Sequence, residues 1–522
     1  MKRTGSTRRM LSDRGFLKWA AKHAVPIRNN DFQDLGDLAP FKALVGKARV
    51  VGFGESQHHV GEFARIRARV FKYLVEELGF TTFVFECGVI EAKAAHDYVL
   101  GLHNDFDAAL LPIESGFNAW RGFQDLLQWM REYNLRETGA RKLNFYGMDG
   151  SRRWMSTRTA VRYACDYLDK VNANRAARFR SELLPLADEI SLANVGSVAT
   201  GNVERLIRGL GDLVGHLELE QMQYVEQTGL DSFDWAHRAS LIARQIGAIL
   251  SATHDDPASA QRNRWGIRDA GMANEILWIL GREGPDAKLF VHAANMHLQR
   301  TFATDQRATA GQHLALRMAP DELFIVAGTN YFSLKPNDPP IAGSLQASLG
   351  ELNIPSFVID MRTAEQDAEA GPWLKQELPD RSNIDFVPIR VSQAWDALYF
   401  TRTIALDTIN LPPSLQRDNV DLTPDWLERL PGTYDINGIG DSHVVLRIYR
   451  DGDRLMTDGE VSDGELFPMH VTQLLAFSDT SFGWREWPHR IQFEFDAAGI
   501  ATGLNIQAPG AFDKFHGVQR RA

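Results

Sequence analysis

Short, continuous apolar runs that end in polar residues, with segments of helical period between them, constrain this chain more than any other feature. The runs are Arg49–Phe53, Thr81–Glu86, Lys142–Asp149, Leu289–Asn295 and Leu323–Thr329. They are short for buried helices and lack the alternation of half-exposed strands, so strands covered on both faces are expected. Helices are expected around residues 14–24, 61–78, 90–100 and 123–133. The 61–78 segment is the best patterned, with Phe63, Ile66, Val70, Leu74 and Leu78 at helical spacing. Strand and helix in repeated alternation predict an α/β fold, a parallel-sheet core covered by helices. Another strand is expected at Ser356–Asp360.

The texture changes twice. From about 153 to 260 the chain is helical by period without a convincing strand, which reads as a helical cap inserted into an α/β domain spanning 1–410. Pro412, Pro413 and Pro424 mark a linker. From 425 to 522 the pattern is all-β: Val444–Tyr449 and Arg454–Thr457 flank Asp451-Gly452-Asp453, and Ile491–Phe495 and Thr502–Ile506 flank Ala497-Ala498-Gly499. A small C-terminal β domain, sandwich or barrel, is expected there.

At 522 residues the chain exceeds what one core usually holds. A net charge of −10 argues against a nucleic-acid partner bound through phosphates. No stretch approaches the ~20 apolar residues of a membrane span. The basic N-terminal residues Lys2, Arg3, Arg8 and Arg9 precede no sustained apolar run, so no secretory signal is expected. Two cysteines, Cys87 and Cys165, are too few for a disulfide framework. A cytoplasmic protein is expected; its oligomeric state is not legible.

The strand ends carry the chemistry. Glu55 and His58 follow the first strand, Glu86 ends the second, Asp149 the third, and His292, Asn295 and His297 lie at the fourth. In a parallel sheet such ends share one edge, where α/β folds form their crevices. Glu55 and His58 also fit a plainer role, capping the helix that follows. Gly54-Glu55-Ser56-Gln57-His58 half-matches the G-x-S-x-G nucleophile elbow, but histidine replaces the closing glycine, so Ser56 is not expected to be a nucleophile. Cys87 points to the opposite face from Glu86 and reads as core. A metal reading takes His58, Glu62 and Glu86 as ligands, since His58 and Glu62 are four apart. The order, however, matches neither H-E-x-x-H nor its inverse. His59 reads as a supporting or solvent-facing residue.

Gly54-Glu55-Ser56-Gln57-His58-His59-Val60-Gly61-Glu62-Phe63, Leu78–Glu86, Trp129–Asn134, Tyr146–Asp149, Arg268-Asp269 with Met272-Ala273, and Asn295–Gln299 together resemble the erythromycin esterase family, over about residues 14–405. The resemblance implies metal-independent, cofactor-free hydrolysis of a macrolide lactone or related ester by water, hence an antibiotic-resistance activity. It places the catalytic set on His58, Glu55, Glu86, His297 and Arg67. His58 would be the general base, and Glu55 or Glu86 would orient it. Arg67, on the polar side of its helix, would pair with a carboxylate or meet the oxyanion. His297 would polarise the carbonyl or protonate the leaving alkoxide. His292, Asn295 and Asp149 are expected to contact substrate. Family members often carry a histidine where this chain has Ala294; His292, two residues earlier on the same strand face, is a candidate replacement. Two other classes stand beside the enzyme: a binding protein of the same fold, and a chain whose main role lies in the β domain. There Trp484 and Trp487 would contact a partner or, more simply, pack the core.

Overall fold

The computed structural model describes residues 12–520 apart from 114–116, 138–140, 151–154, 193, 304, 335–337, 383–384, 409, 411–419, 421–423, 438–443, 461–471, 479–480, 485–486 and 508–514. The basic N-terminal residues and most of the expected linker, with Pro412 and Pro413, therefore lie outside the described residues. The chain divides into two compact units, Met1–Phe83 with Leu280–Asp407 and Val84–Ile279 with Thr408–Ala522.

The first unit opens with helix α1 (Arg14–His23), the short strand β1 (Val25–Pro26) and helix α2 (Pro40–Val45), and then β2 (Val50–Glu55) and α3 (Gly61–Leu78). Helix α3 spans the expected residues and ends at Gly79, whose left-handed backbone (φ 69°) closes its last turn. Strand β3 (Thr82–Gly88) carries the chain out of this unit, and β4 (Asn144–Asp149) belongs to the second. The first unit resumes with β5 (Leu289–Ala294), β6 (Leu323–Asn330), β7 (Ser356–Asp360), the hairpin β8 (Leu378–Ser382) with β9 (Asp385–Ile389), and β10 (Ala397–Thr401). Six of these strands lie in the order β1-β7-β10-β6-β2-β5. The four from β10 to β5 are parallel, as the apolar runs predict. Strand β7 runs antiparallel to β10 and β1 antiparallel to β7, so the sheet is mixed toward that edge. Every residue of β2 and β6 is buried.

In the second unit β3 neighbours β4. The long helices that follow, among them Arg158–Val171, Ala173–Glu189, Thr200–Leu219 and Leu230–Asp255, fill the expected 153–260 insertion without a strand among the described residues. Beyond them the C-terminal domain is an eight-stranded, wholly antiparallel closed barrel: β11 (Gly432–Asn437), β12 (Val444–Asp451), β13 (Arg454–Glu460), β14 (Thr472–Ala476), β15 (Phe482–Trp484), β16 (Trp487–Phe495), β17 (Ala501–Gln507) and β18 (Phe515–Gln519). Closure comes from β18 pairing with β11, Tyr434 opposite Gln519, which removes both sheet edges. Trp484 is fully buried and its indole N–H donates to Thr457 Oγ1 at 2.8 Å, so it is a core residue; the Trp487 side chain lies outside the described residues.

Candidate active site

Strand β2 delivers Glu55 to its C-terminal end, and a three-residue advance returns the chain so that His58 Nδ1 meets Glu55 Oε1 at 2.6 Å. The turn is tight: His59 adopts φ 63°, a left-handed conformation that costs a non-glycine residue energy. His59 is buried, and its carbonyl accepts from the Asp407 amide at 2.8 Å, so of the two roles expected for it, supporting or solvent-facing, the second does not hold. Gly54 is required by close approach. A Cβ there would lie 2.2 Å from Asn295 Oδ1. The Asn295 carboxamide occupies that space because it is bound to Gly328, accepting from its amide at 3.2 Å and donating to its carbonyl at 2.8 Å. These two bonds tie the residue that follows β5 to β6.

His292 sits beside Phe53 in the parallel pairing of β5 with β2, so the two-residue period sets it on the same face as Glu55. Its Nδ1 lies 2.8 Å from the Phe53 carbonyl, and its Nε2 lies 2.8 Å from Arg67 Nη1 and 3.1 Å from Glu55 Oε2. Arg67 Nη1 stands 3.7 Å from the same carboxylate oxygen. Although the period of α3 puts Arg67 on a polar face, it is only 4% exposed, because its charge is drawn inward to Glu55. Burial would raise the Glu55 carboxyl, yet positive charge on the adjoining His292–Arg67 pair and the bond with His58 hold it well below the carboxylate range. Burial and the Arg67 charge together push His292 below the imidazole range. Burial also lowers Arg67, against the opposing pull of Glu55 and Asp407. His58 is 21% exposed and Glu55 2%, so the imidazole is reachable by water while the carboxylate it contacts is not.

His297 is buried on the four-residue helix Asn295–Leu298 that follows β5. The Ser56 hydroxyl donates to Asn330 Oδ1. Glu62 accepts from Arg65 at 2.6 Å and from the Ala405 amide at 2.8 Å. Among the described residues no group of three or more His, Cys, Asp or Glu side chains is placed to hold a metal ion. Cys87 and Cys165 are buried and in no disulfide, and burial raises the Cys165 thiol to about 11.

The second unit holds its own charged cluster. Arg268 Nη2 donates to Glu86 Oε1 at 3.1 Å and to Asp149 Oδ2 at 2.6 Å, while its Nε reaches Asp149 Oδ1 and Oδ2 at 3.1 and 2.9 Å. Asp149 Oδ1 also accepts from the Gly150 amide at 2.8 Å, so both of its oxygens are engaged by the protein. Burial would lower Arg268, but Asp149 and Glu86 outweigh it and raise it. Arg268 belongs to a motif of the family resemblance, which assigns it no role. The available signal was charge balance: two carboxylates at buried strand ends require a cation.

An imidazole seated on a buried carboxylate at a strand end of an α/β scaffold can serve as a general base. The chain belongs to the erythromycin esterase family: the family's sequence model, described as erythromycin esterase, matches residues 75–404. That span includes Glu86, Asp149, Arg268, His292, Asn295 and His297 and begins after Glu55, His58 and Arg67. The chain is 29% identical over 299 residues to erythromycin esterase type I of Escherichia coli, covering 55% of this chain and 71% of that one. To erythromycin esterase type II of Escherichia coli it is 25% identical over 295 residues, covering 55% and 69%. A mutant of erythromycin esterase EreC, solved in its open conformation, shares the fold with a TM-score of 0.58 at 22% identity, covering 74% of this chain and 98% of that one. Among the described residues no helix is long and apolar enough to cross a membrane.

Proposed function

We propose that this ester hydrolase opens a macrolide-type lactone, or a related carboxylic ester, by attack of water activated at His58, without a metal. The observation that carries the reading is the 2.6 Å bond between His58 Nδ1 and the buried Glu55 carboxylate. It fixes the ring and offers a counter-charge to the imidazolium formed when the base takes a proton. The substrate class comes from the names of the Escherichia coli relatives and of EreC. The proton of the attacking water passes to His58 as its oxygen bonds to the carbonyl carbon. The tetrahedral intermediate then collapses with cleavage of the ester C–O bond, and the departing alkoxide takes up the proton held by His58, directly or through His297, leaving a carboxylic acid, an alcohol and a neutral His58. His297, as polariser or proton donor, and Glu86 join the proposed catalytic set on the family resemblance. The engagement of Glu62 by Arg65 and the Ala405 amide supports a base rather than a ligand role for His58.

The test is a mass-spectrometric screen of purified protein against macrolides and simple lactones for the gain of one water. On a substrate so identified, His58→Ala is expected to lower kcat by ~10²–10⁴-fold with the fold intact, and exhaustive chelation is expected to leave turnover unchanged. Wild-type turnover in the variant, or loss on chelation restored by a single metal, refutes the mechanism.

A further inference from the structure

We infer that His292 is a positioning residue, held as the neutral tautomer with its proton on Nδ1, that aims the Arg67 guanidinium at Glu55. This rests on the reading of His58 as the base. Two bonds fix the tautomer. The Phe53 carbonyl, 2.8 Å from Nδ1, can only accept, so Nδ1 carries a proton. Arg67 Nη1, 2.8 Å from Nε2, can only donate, so Nε2 carries a lone pair. The 3.1 Å approach of Glu55 Oε2 to the same nitrogen is then a contact between two acceptors that Arg67 reconciles from 3.7 Å. Either His292 or Arg67 could supply the positive charge that keeps Glu55 ionised. The Arg67–Nε2 bond places that charge on Arg67. The chain of dependence runs from the Phe53 carbonyl through His292 to Arg67, from Arg67 to Glu55, and from Glu55 to His58. His292, 1% exposed, acts through Arg67 and Glu55.

The experiment has an arm that does not use activity. In full-length protein labelled with ¹⁵N at histidine, His292, assigned by its disappearance in a variant, is expected to show a protonated Nδ1 and an unprotonated Nε2 between about pH 5 and 8, where a free imidazole titrates. A protonated Nε2 overturns the inference, whatever the variants do. The kinetic arm compares His292→Gln with His292→Asn on a confirmed substrate. Glutamine reaches the Nε2 position and offers Arg67 a carbonyl oxygen. Asparagine offers the Phe53 carbonyl an N–H but leaves Arg67 without its acceptor. His292→Gln is expected to keep kcat within about tenfold and the acid limb of the pH profile in place, whereas His292→Asn loses about 10- to 100-fold in kcat with KM little changed. Equal activities in the two overturn the positioning role. If His58→Ala retains turnover while the tautomer and the Gln/Asn difference hold, the base assignment fails and this inference stands. If His58→Ala is dead and the tautomer is wrong, the reverse applies.

Discussion

Replacing Glu55 by glutamine isolates the charge under the base. The side chain keeps its shape, and the glutamine oxygen can still accept the His58 Nδ1–H, so what is removed is the negative charge 2.6 Å from the ring. With charge centres about 4 Å apart and an effective dielectric constant of about 20, the imidazolium–carboxylate attraction is about 4 kcal/mol. The neutral bond that survives retains about 1 kcal/mol. A net loss of about 3 kcal/mol in the transition state lowers kcat by ~10²-fold. KM should barely move, because a carboxylate that is 2% exposed does not reach the substrate. The variant should also melt earlier, since buried Arg67 loses the attraction of the Glu55 carboxylate. Kinetics therefore belong below the variant's own Tm, following hydrolysis of a confirmed substrate by mass spectrometry. A folded Glu55→Gln protein with kcat within a few-fold of wild type, or with a loss confined to KM, refutes the reasoning.

Other outcomes follow from the same contacts. Ser56→Ala should keep most of its turnover, and intact-protein mass spectrometry should find no acyl adduct on Ser56 in the wild type, because its hydroxyl is bonded to Asn330 rather than to a base; a trapped adduct would overturn water attack. Asn295→Ala strands the Gly328 amide and carbonyl, so denaturant unfolding should show a loss of about 2–4 kcal/mol with KM unchanged, and a KM effect without destabilisation would return Asn295 to the substrate. Burial raises Asp380 from 3.8 to about 6 against the bond from Gln346. Its native state thus binds the proton more tightly than the unfolded chain, and the associated stability is fully present below about pH 4 and lost as pH rises through 6. Asparagine cannot ionise. Asp380→Asn should therefore gain on wild type by up to about 3 kcal/mol between pH 4 and 7 and no further above, and a pH-independent difference would refute it.

Features that depend on neighbours along the chain are legible in the sequence. Helical period located α3 to the residue, apolar runs located β2, β5, β6 and β7, and turn chemistry located two hairpins of the barrel. Glu55 and His58 are three residues apart across one turn, so their partnership is local and legible. Partner choice over long separations is not encoded in any window. The reversal of β7 against β10, and the closure of the barrel by β18 on β11, depend on which edges remain unpaired once the other strands are in place. Arg67 and His292 are 225 positions apart and meet because β5 pairs with β2. Period alone leaves Arg67 on a polar face, and only the tertiary fold supplies the buried anion that draws it inward. The same holds for Arg268, whose carboxylates lie 182 and 119 residues away. A local pattern can locate charged strand ends, but which opposite charge neutralises them is decided by packing, because a buried charge must take its partner from whatever segment the fold brings within reach.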